Sequence, residues 1–252
     1  MIVYTITNQK GGVGKTTTAH ILASGLVKAG YKVLVIDTDP QTNLTYTAGI
    51  DTNNTQDLYD LFINDFSLQA IQKTSVGFDM IAGSVNFARA DKEFTDTGRE
   101  YILRDLLEPV KENYDYCIID TPPTLGILTI NALTASNSVI VPMGADIYSL
   151  QGLSQLQGLI NNVKKYCNPA LQLEGLLLTK YNPRAIINRD IKDNLEQVAK
   201  NLNTKVFDVY IREAVAVKEV QAMKQSIFEI YPNSNVTKDY TKFIKLLTGK
   251  EV

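Results

Sequence analysis

The chain has 252 residues, 44% of them hydrophobic and 21% charged, with a formal net charge of −2. It is long enough to bury the core of a large α/β domain, and its near-balanced charge excludes a protein that is basic throughout. Cys117 and Cys167 have no paired metal-ligand spacing, and the chain shows no apolar run of about 18 residues and no signal-type N-terminus; a soluble, cytoplasmic protein with free thiols is expected.

The first predicted element is the β-branched run Ile2–Thr7, which enters Asn8-Gln9-Lys10-Gly11-Gly12-Val13-Gly14-Lys15-Thr16-Thr17-Thr18 and then a helical stretch. Strand, glycine-rich turn and helix in that order make a phosphate-binding loop. Glycines let the backbone curl until several N–H groups, Gly11 to Thr17 here, point into one concavity, and the helix N-terminus adds partial positive charge. Lys15 can reach the β- and γ-phosphates of a nucleotide, and the Thr16 hydroxyl can complete a Mg²⁺ shell. The ordinary pattern asks for Gly at position 9, where Gln stands, and a second lysine, Lys10, comes early in the loop.

Residues 16–29 follow helical spacing and stop at Gly30; His20, the one histidine, has no metal or acidic cluster beside it and reads as structural. Lys32–Ile36 is apolar without alternation, as in a buried parallel strand, and delivers Asp37-Thr38-Asp39-Pro40-Gln41 to its C-terminal end, where ligands bind in parallel α/β sheets. Asp39 there can orient or deprotonate an attacking water. Short helices near Leu58–Phe62, over Val85–Phe94 and over Tyr101–Val110, and a strand at Phe78–Ile81, are predicted next, with no chemistry attached. Tyr114–Ile119 then carries Asp120 to the same sheet edge, the placement of a carboxylate that holds Mg²⁺ directly or through water, and Pro122-Pro123 stiffens the following turn. Further strands at Ser138–Pro142 and Leu173–Thr179 alternate with helices around Leu153–Val163 and 186–202. Residues 1–163 hold 10 Lys/Arg and 17 Asp/Glu, net −7, whereas 164–252 hold 15 and 10, net +5. That asymmetry leaves open a basic face in the C-terminal third or ordinary solvated helix surfaces.

The Lys10–Thr17 string resembles the deviant Walker A loop of the ParA/MinD class of P-loop ATPases. Asp37-Thr38-Asp39-Pro40-Gln41, Asp120-Thr121-Pro122-Pro123 and the continuation Thr124–Leu133 resemble that class in the same order. A resemblance to plasmid partition ATPases implies a strand at Val206–Arg212 and a helix at Glu213–Val220. The likeness is to ParA/Soj-type DNA partition ATPases over nearly the full length. It implies a doubly wound P-loop α/β fold, a mainly parallel sheet of seven or eight strands with helices on both faces, formed by residues 1–252 as a single domain. Because the P-loop strand begins at Ile2, no N-terminal helix-turn-helix extension is expected.

The resemblance further implies ATP and Mg²⁺ as ligands and a homodimer formed with ATP. In it Lys10 reaches the partner subunit's nucleotide, Lys10, Gly11 and Asp146 lie at the dimer contact, and a solvated loop acid is the alternative for Asp146. Lys10, Lys15 and Asp39 become the catalytic set, Thr16 and Asp120 the metal ligands, with Asp37 near them. Lys180-Tyr181-Asn182 stands where this class meets the adenine base. The class binds DNA without sequence preference and is timed by a ParB-type centromere-binding partner at the nucleoid. Arg184, Arg189, Arg212, Lys218 and Lys224 are candidates for the DNA surface, with a solvated face the alternative for each. The tail Lys238–Leu247 is basic and amphipathic; a helix docked on the core is expected rather than the membrane-surface helix of the MinD branch. A redox ATPase like the nitrogenase iron protein would need bridging cysteines after its strands, where Cys117 and Cys167 do not stand. A metabolic ligase on this fold would need an organic-substrate pocket that the sequence does not identify.

Overall fold

A computed structural model describes residues 1–52, 55–64, 67–145, 148–250 and 252, without the side chains of residues 148–151 and 186–190. The described strands are β1 (Ile2–Ile6), β2 (Val33–Asp37), β3 (Ile71–Lys73), β4 (Asp79–Ile81), β5 (Tyr116–Asp120), β6 (Ser138–Gly144), β7 (Gln172–Thr179) and β8 (Val206–Ile211). They form one sheet in the order β3-β4-β2-β5-β1-β6-β7-β8, parallel throughout except for the antiparallel β3–β4 pair. The mainly parallel, doubly wound sheet of seven or eight strands that the resemblance implies is present, with eight strands among the described residues.

Strand alternation sorts the core onto two faces. Val33, Val35 and Ile118 face a cluster with Ile21, Leu22 and Leu26 of the helix Lys15–Lys28. Leu34, Ile36, Cys117 and Ile119 face the opposite way, onto Leu58, Leu61, Leu103 and Leu107. The C-terminal helix, Asn235–Thr248, docks as expected: Val236, Tyr240, Phe243 and Ile244 are buried in the first cluster, with the Phe243 ring 5.0 Å from Phe207. His20 is fully buried and edge-on to Phe78, a structural placement.

The region 55–112 departs from the predicted pattern. Val85–Phe94 is a 3₁₀ turn (Val85–Arg89) followed by a short α-turn (Ala90–Glu93), with Ser84 accepting from the Asn86 N–H at its start. Tyr101–Val110 is likewise broken: Gly98, at φ 89°, opens a 3₁₀ turn at Arg99–Tyr101, Ile102–Leu107 is α-helical, and Pro109 lies in a closing 3₁₀ turn. β3 is a three-residue edge strand, too short for a period-2 signal, hairpinned to β4 through Gly77 at φ 102°.

Candidate functional site

The loop between β1 and the helix Lys15–Lys28 is held by its neighbours as well as by its glycines. Buried Asn8 donates its amide to the Pro142 carbonyl (2.7 Å), and its Oδ1 accepts from the Lys10 N–H (2.9 Å), so the loop's entry is tied to β6. Thr179, at the end of β7, donates its hydroxyl to the Val13 carbonyl at 2.8 Å. Gly12 (φ 74°) and Gly14 (φ 87°) take the left-handed backbone that the curl requires. Gly14 is also the residue before the helix, and no side chain caps its first turn, so those N–H groups remain available to an anion.

Lys15 is only 7% exposed and folds back so that Nζ donates to the Lys10 carbonyl at 3.3 Å. Burial lowers its pKa, opposed by the carboxylates of Asp120 and Asp39. In the sheet register Asp120 stands beside Ile6 on one side and Asp37 on the other. Both of its carboxylate oxygens are buried, and neither accepts a hydrogen bond. Burial raises its pKa well above the usual value, with Asp37 adding to the rise; the neighbouring Thr16 hydroxyl and Lys15 ammonium work against it. A donor-less carboxylate facing a lysine and a threonine hydroxyl suits a hard divalent cation. Among the described residues no group of three or more His, Cys, Asp or Glu is gathered for a metal.

Asp37 is differently placed. Its Oδ2 accepts from the Thr45 N–H (2.9 Å) and hydroxyl (2.8 Å), and its Oδ1 from the Asp39 N–H (3.1 Å). Its pKa is raised because burial outweighs those three bonds. Asp37 therefore fastens the short helix Asn43–Thr47 to the sheet, and Asp120 is the carboxylate with open oxygens. Asp39, 7% exposed, accepts from the Gln41 N–H at 2.9 Å and lines a cleft of ≈ 370 Å³ with Gly12, Lys15, Thr16, Pro123 and Lys180. Lysine, threonine and aspartate thus converge on one cleft at the carboxyl ends of β1, β2 and β5.

A second cavity, of ≈ 160 Å³, lies on the other side of Thr17 and Lys180, at the ends of β7 and β8. Its wall includes Val217, Gln221 and Tyr240, none of them marked by the sequence reading. Gln221 donates its amide to the Thr17 hydroxyl at 3.2 Å, and the Tyr240 and Thr18 hydroxyls are 3.1 Å apart. Of the predicted Lys180-Tyr181-Asn182 contact, only Lys180 lines either cavity. The Tyr181 ring is buried against Tyr210 (4.7 Å), and Asn182 Oδ1 accepts from the Arg184 N–H in the turn.

The basic candidates are dispersed. Arg212 grips the nearly buried Asp239 of the C-terminal helix, with Nε 2.8 Å from Oδ2 and Nη2 2.6 Å from Oδ1. Lys218 is exposed at the second cavity, Arg184 is exposed after β7, and Lys224 Nζ sits 4.7 Å from the Tyr46 ring centre. Asp146 and the side chain of Arg189 lie outside the described residues. The exposed row Lys238, Lys242 and Lys245 on the C-terminal helix, at i, i+4 and i+7, was not among the candidates.

The model of a family described as an AAA domain matches residues 1–173. The chain is 40% identical over 247 residues to sporulation initiation inhibitor protein Soj of Bacillus subtilis (strain 168), covering 96% of each. It is 39% identical over 226 residues to chromosome partitioning protein ParA of Myxococcus xanthus (strain DK1622), 88% of this chain and 79% of that one. The chain belongs to the Soj/ParA family of P-loop partition ATPases. Among solved structures, cobyrinic acid a,c-diamide synthase from Mycobacterium smegmatis with bound ADP and magnesium matches at TM-score 0.84 and 30% identity, covering 100% of this chain and 97% of that one. Cyanothece apo McdA matches in fold, at TM-score 0.87 and 24% identity over 98% of both chains. Among the described residues no helix is long and apolar enough to cross a membrane.

Proposed function

We propose that this Soj/ParA-family chain is a DNA-partition ATPase, cytoplasmic and nucleoid-associated, built on residues 1–252 as one domain. Its ATP-bound homodimer holds DNA without sequence preference and releases it on hydrolysis, which a ParB-type centromere-binding partner stimulates. The observation that carries the reading is the cleft lined by Lys15, Thr16 and Asp39, with the fully buried Asp120 carboxylate close enough to Lys15 and Thr16 to be stabilised by both.

In this reading the N–H groups from Gly11 to Thr17 bind the phosphates and Lys15 exchanges its bond to the Lys10 carbonyl for phosphate oxygen. Thr16 and Asp120 hold Mg²⁺, which when bound neutralises charge on the phosphates. Asp39, held by the Gln41 N–H, orients the attacking water. The side chain of Lys10 reaches the partner subunit's nucleotide, so ATP completes both sites of a dimer at once. The second cavity receives the adenosine end, between Lys180 and Gln221. Basic residues of the C-terminal third, doubled by dimerisation, form a bivalent phosphate-binding surface. The docking of the C-terminal helix through its apolar stripe supports DNA rather than a membrane as the surface engaged.

The test is binding to a non-specific duplex with ATP, ADP or no nucleotide over a salt series, with Asp39→Ala alongside. ATP-only, salt-sensitive binding that persists in the variant is the expected result; ATP-driven dimers that ignore DNA would overturn the DNA assignment. Lys10→Ala is expected to keep nucleotide binding and lose ATP-dependent dimers in light scattering, and stable dimers would refute the cross-subunit role.

A further inference from the structure

The helix Ile127–Ala135 begins directly after the loop that leaves Asp120, and its N-cap residue, Gly126, has no side chain to cap it. The cap comes from elsewhere. Asp91, in the turn Ala90–Glu93, accepts the Ile127 N–H on Oδ1 at 2.7 Å. A Cβ on Gly126 would collide with both Asp91 carboxylate oxygens. Gly126 itself has φ −85° and ψ −168°, a backbone any residue adopts, so the carboxylate and not the chain conformation excludes a side chain there.

The segment carrying Asp91 is rigidly seated. Phe87 packs on Phe62 (5.1 Å) and Tyr59 (5.6 Å), and Phe94 packs on Phe62 (5.4 Å). The capped helix is fixed beyond its first turn too: Asn131 Oδ1 accepts from the Leu103 N–H, and Asn168 donates to the carbonyls of Leu133 and Ser136. The loop Thr121–Gly126 therefore runs between two anchored ends, β5 and the Asp91-capped Ile127. Pro123 in that loop lines the phosphate cleft with Asp39, and it also lines a cavity of ≈ 310 Å³ that Asp39 and Asp91 share.

We propose that Asp91 is a positioning residue for hydrolysis: by capping Ile127 across Gly126 it holds the Pro122–Gly126 loop at the distance from Asp39 that the attacking water needs. The proposal rests on the reading of the cleft as an ATP-hydrolysing site. It assigns a role to the stretch between residues 55 and 112, to which the sequence attached no chemistry. Nucleotide affinity resides in the P-loop and the second cavity, so loosening the brace acts on the rate and leaves binding alone.

Basal hydrolysis and the affinities for ATP and ADP are measured in the full chain for wild type, Asp91→Ala, Asp91→Asn, Gly126→Ala and the double variant Asp91→Ala/Gly126→Ala. Asp91→Ala is expected to lose about tenfold in rate with affinities unchanged. Asp91→Asn keeps an acceptor for the Ile127 N–H and recovers most of the rate. Gly126→Ala, which drives the carboxylate away, reproduces the loss, and the double variant is no slower than Asp91→Ala because its added methyl meets no carboxylate. A wild-type rate in Asp91→Ala, affinities that fall in step with the rate, or losses that multiply in the double variant would each overturn the proposal. A wild type that binds ATP and does not hydrolyse it overturns the hydrolase reading itself, a result distinct from the others.

Discussion

His20 lies one turn into the helix that begins at Lys15, and acid should loosen that helix through it. Both ring nitrogens are buried and neither has a hydrogen-bond partner. Burial lowers the pKa from the usual 6.5 to about 4. The unfolded chain therefore binds a proton between those values that the folded protein refuses, and stability falls as pH falls. His20's contribution is intact above pH 6.5 and is lost progressively down to about pH 4, for a total of about 3 kcal/mol at 1.36 kcal/mol per unit. At pH 5 the loss is about 2 kcal/mol. Asp37 and Asp120, with raised pKa values, act in the opposite sense, so the wild-type curve alone mixes signs. The difference from His20→Leu separates them, because leucine fills the site and carries no proton. Urea unfolding of both proteins without nucleotide, at pH 7.5 and pH 5.0, should show the wild type losing about 2 kcal/mol relative to the variant on acidification. Equal losses in the two would refute a neutral, partnerless imidazole.

Three further outcomes follow from the site. Asp120→Asn should raise the stability of the nucleotide-free protein by about 1 kcal/mol, since a buried unpaired carboxylate beside Asp37 is removed, while Mg²⁺ no longer strengthens ADP binding in calorimetry. Arg212→Lys keeps the charge and loses the two-point grip on Asp239; thermal unfolding should show a loss of about 1–2 kcal/mol, and an unchanged salt slope of DNA binding would assign Arg212 to the fold rather than to phosphate contact. Gln221→Ala removes the bond to Thr17 and part of the second cavity's wall, and should weaken ADP binding about fivefold, with stability nearly unchanged, in fluorescence titration.

The candidate cleft was readable because its parts are local. Asp39 and Asp120 sit at or just past the carboxyl ends of β2 and β5, Lys15 and Thr16 open the helix that follows β1, each within a contiguous motif, and parallel topology brings these places together. The adjoining cavity was not readable, for two physical reasons. Lys180, just past β7, takes a left-handed backbone at φ 51° and lines the cleft, while Tyr181, one position on, turns into the core, a turn the sequence pattern does not mark. The remaining wall comes from pairings such as Gln221 with Thr17 and Tyr240 with Thr18, more than 200 residues apart, which leave no periodic trace. Arg212 shows the same limit in reverse: a basic side chain at a strand end looked available until the fold supplied Asp239 from a later helix. The breaks between Val85 and Val110 go unmarked because Leu103, Leu106 and Leu107 keep the helical spacing of Ile102–Leu107, while Ser84, Gly98 and Pro109 set the actual breaks.

The two cavities meet at Gly14, Thr17 and Lys180, and each is braced by a different remote segment. On one side Gln221 ties the helix Val215–Met223 to Thr17; on the other Asp91 ties the Phe87–Phe94 segment to the loop after Asp120. Among the described residues neither brace hydrogen-bonds Lys15, Asp39 or Asp120, so loss of either bond leaves the partners of those three side chains in place. In the proposed partition cycle, binding and hydrolysis would need to be adjustable separately. Variants of Gln221 should therefore act on affinity and variants of Asp91 on rate, and a combined Gln221→Ala/Asp91→Ala protein should show the two losses as independent factors. Coupled losses in that protein would mean that the shared Thr17–Lys180 boundary transmits strain between the cavities, and that binding and hydrolysis form one cooperative unit.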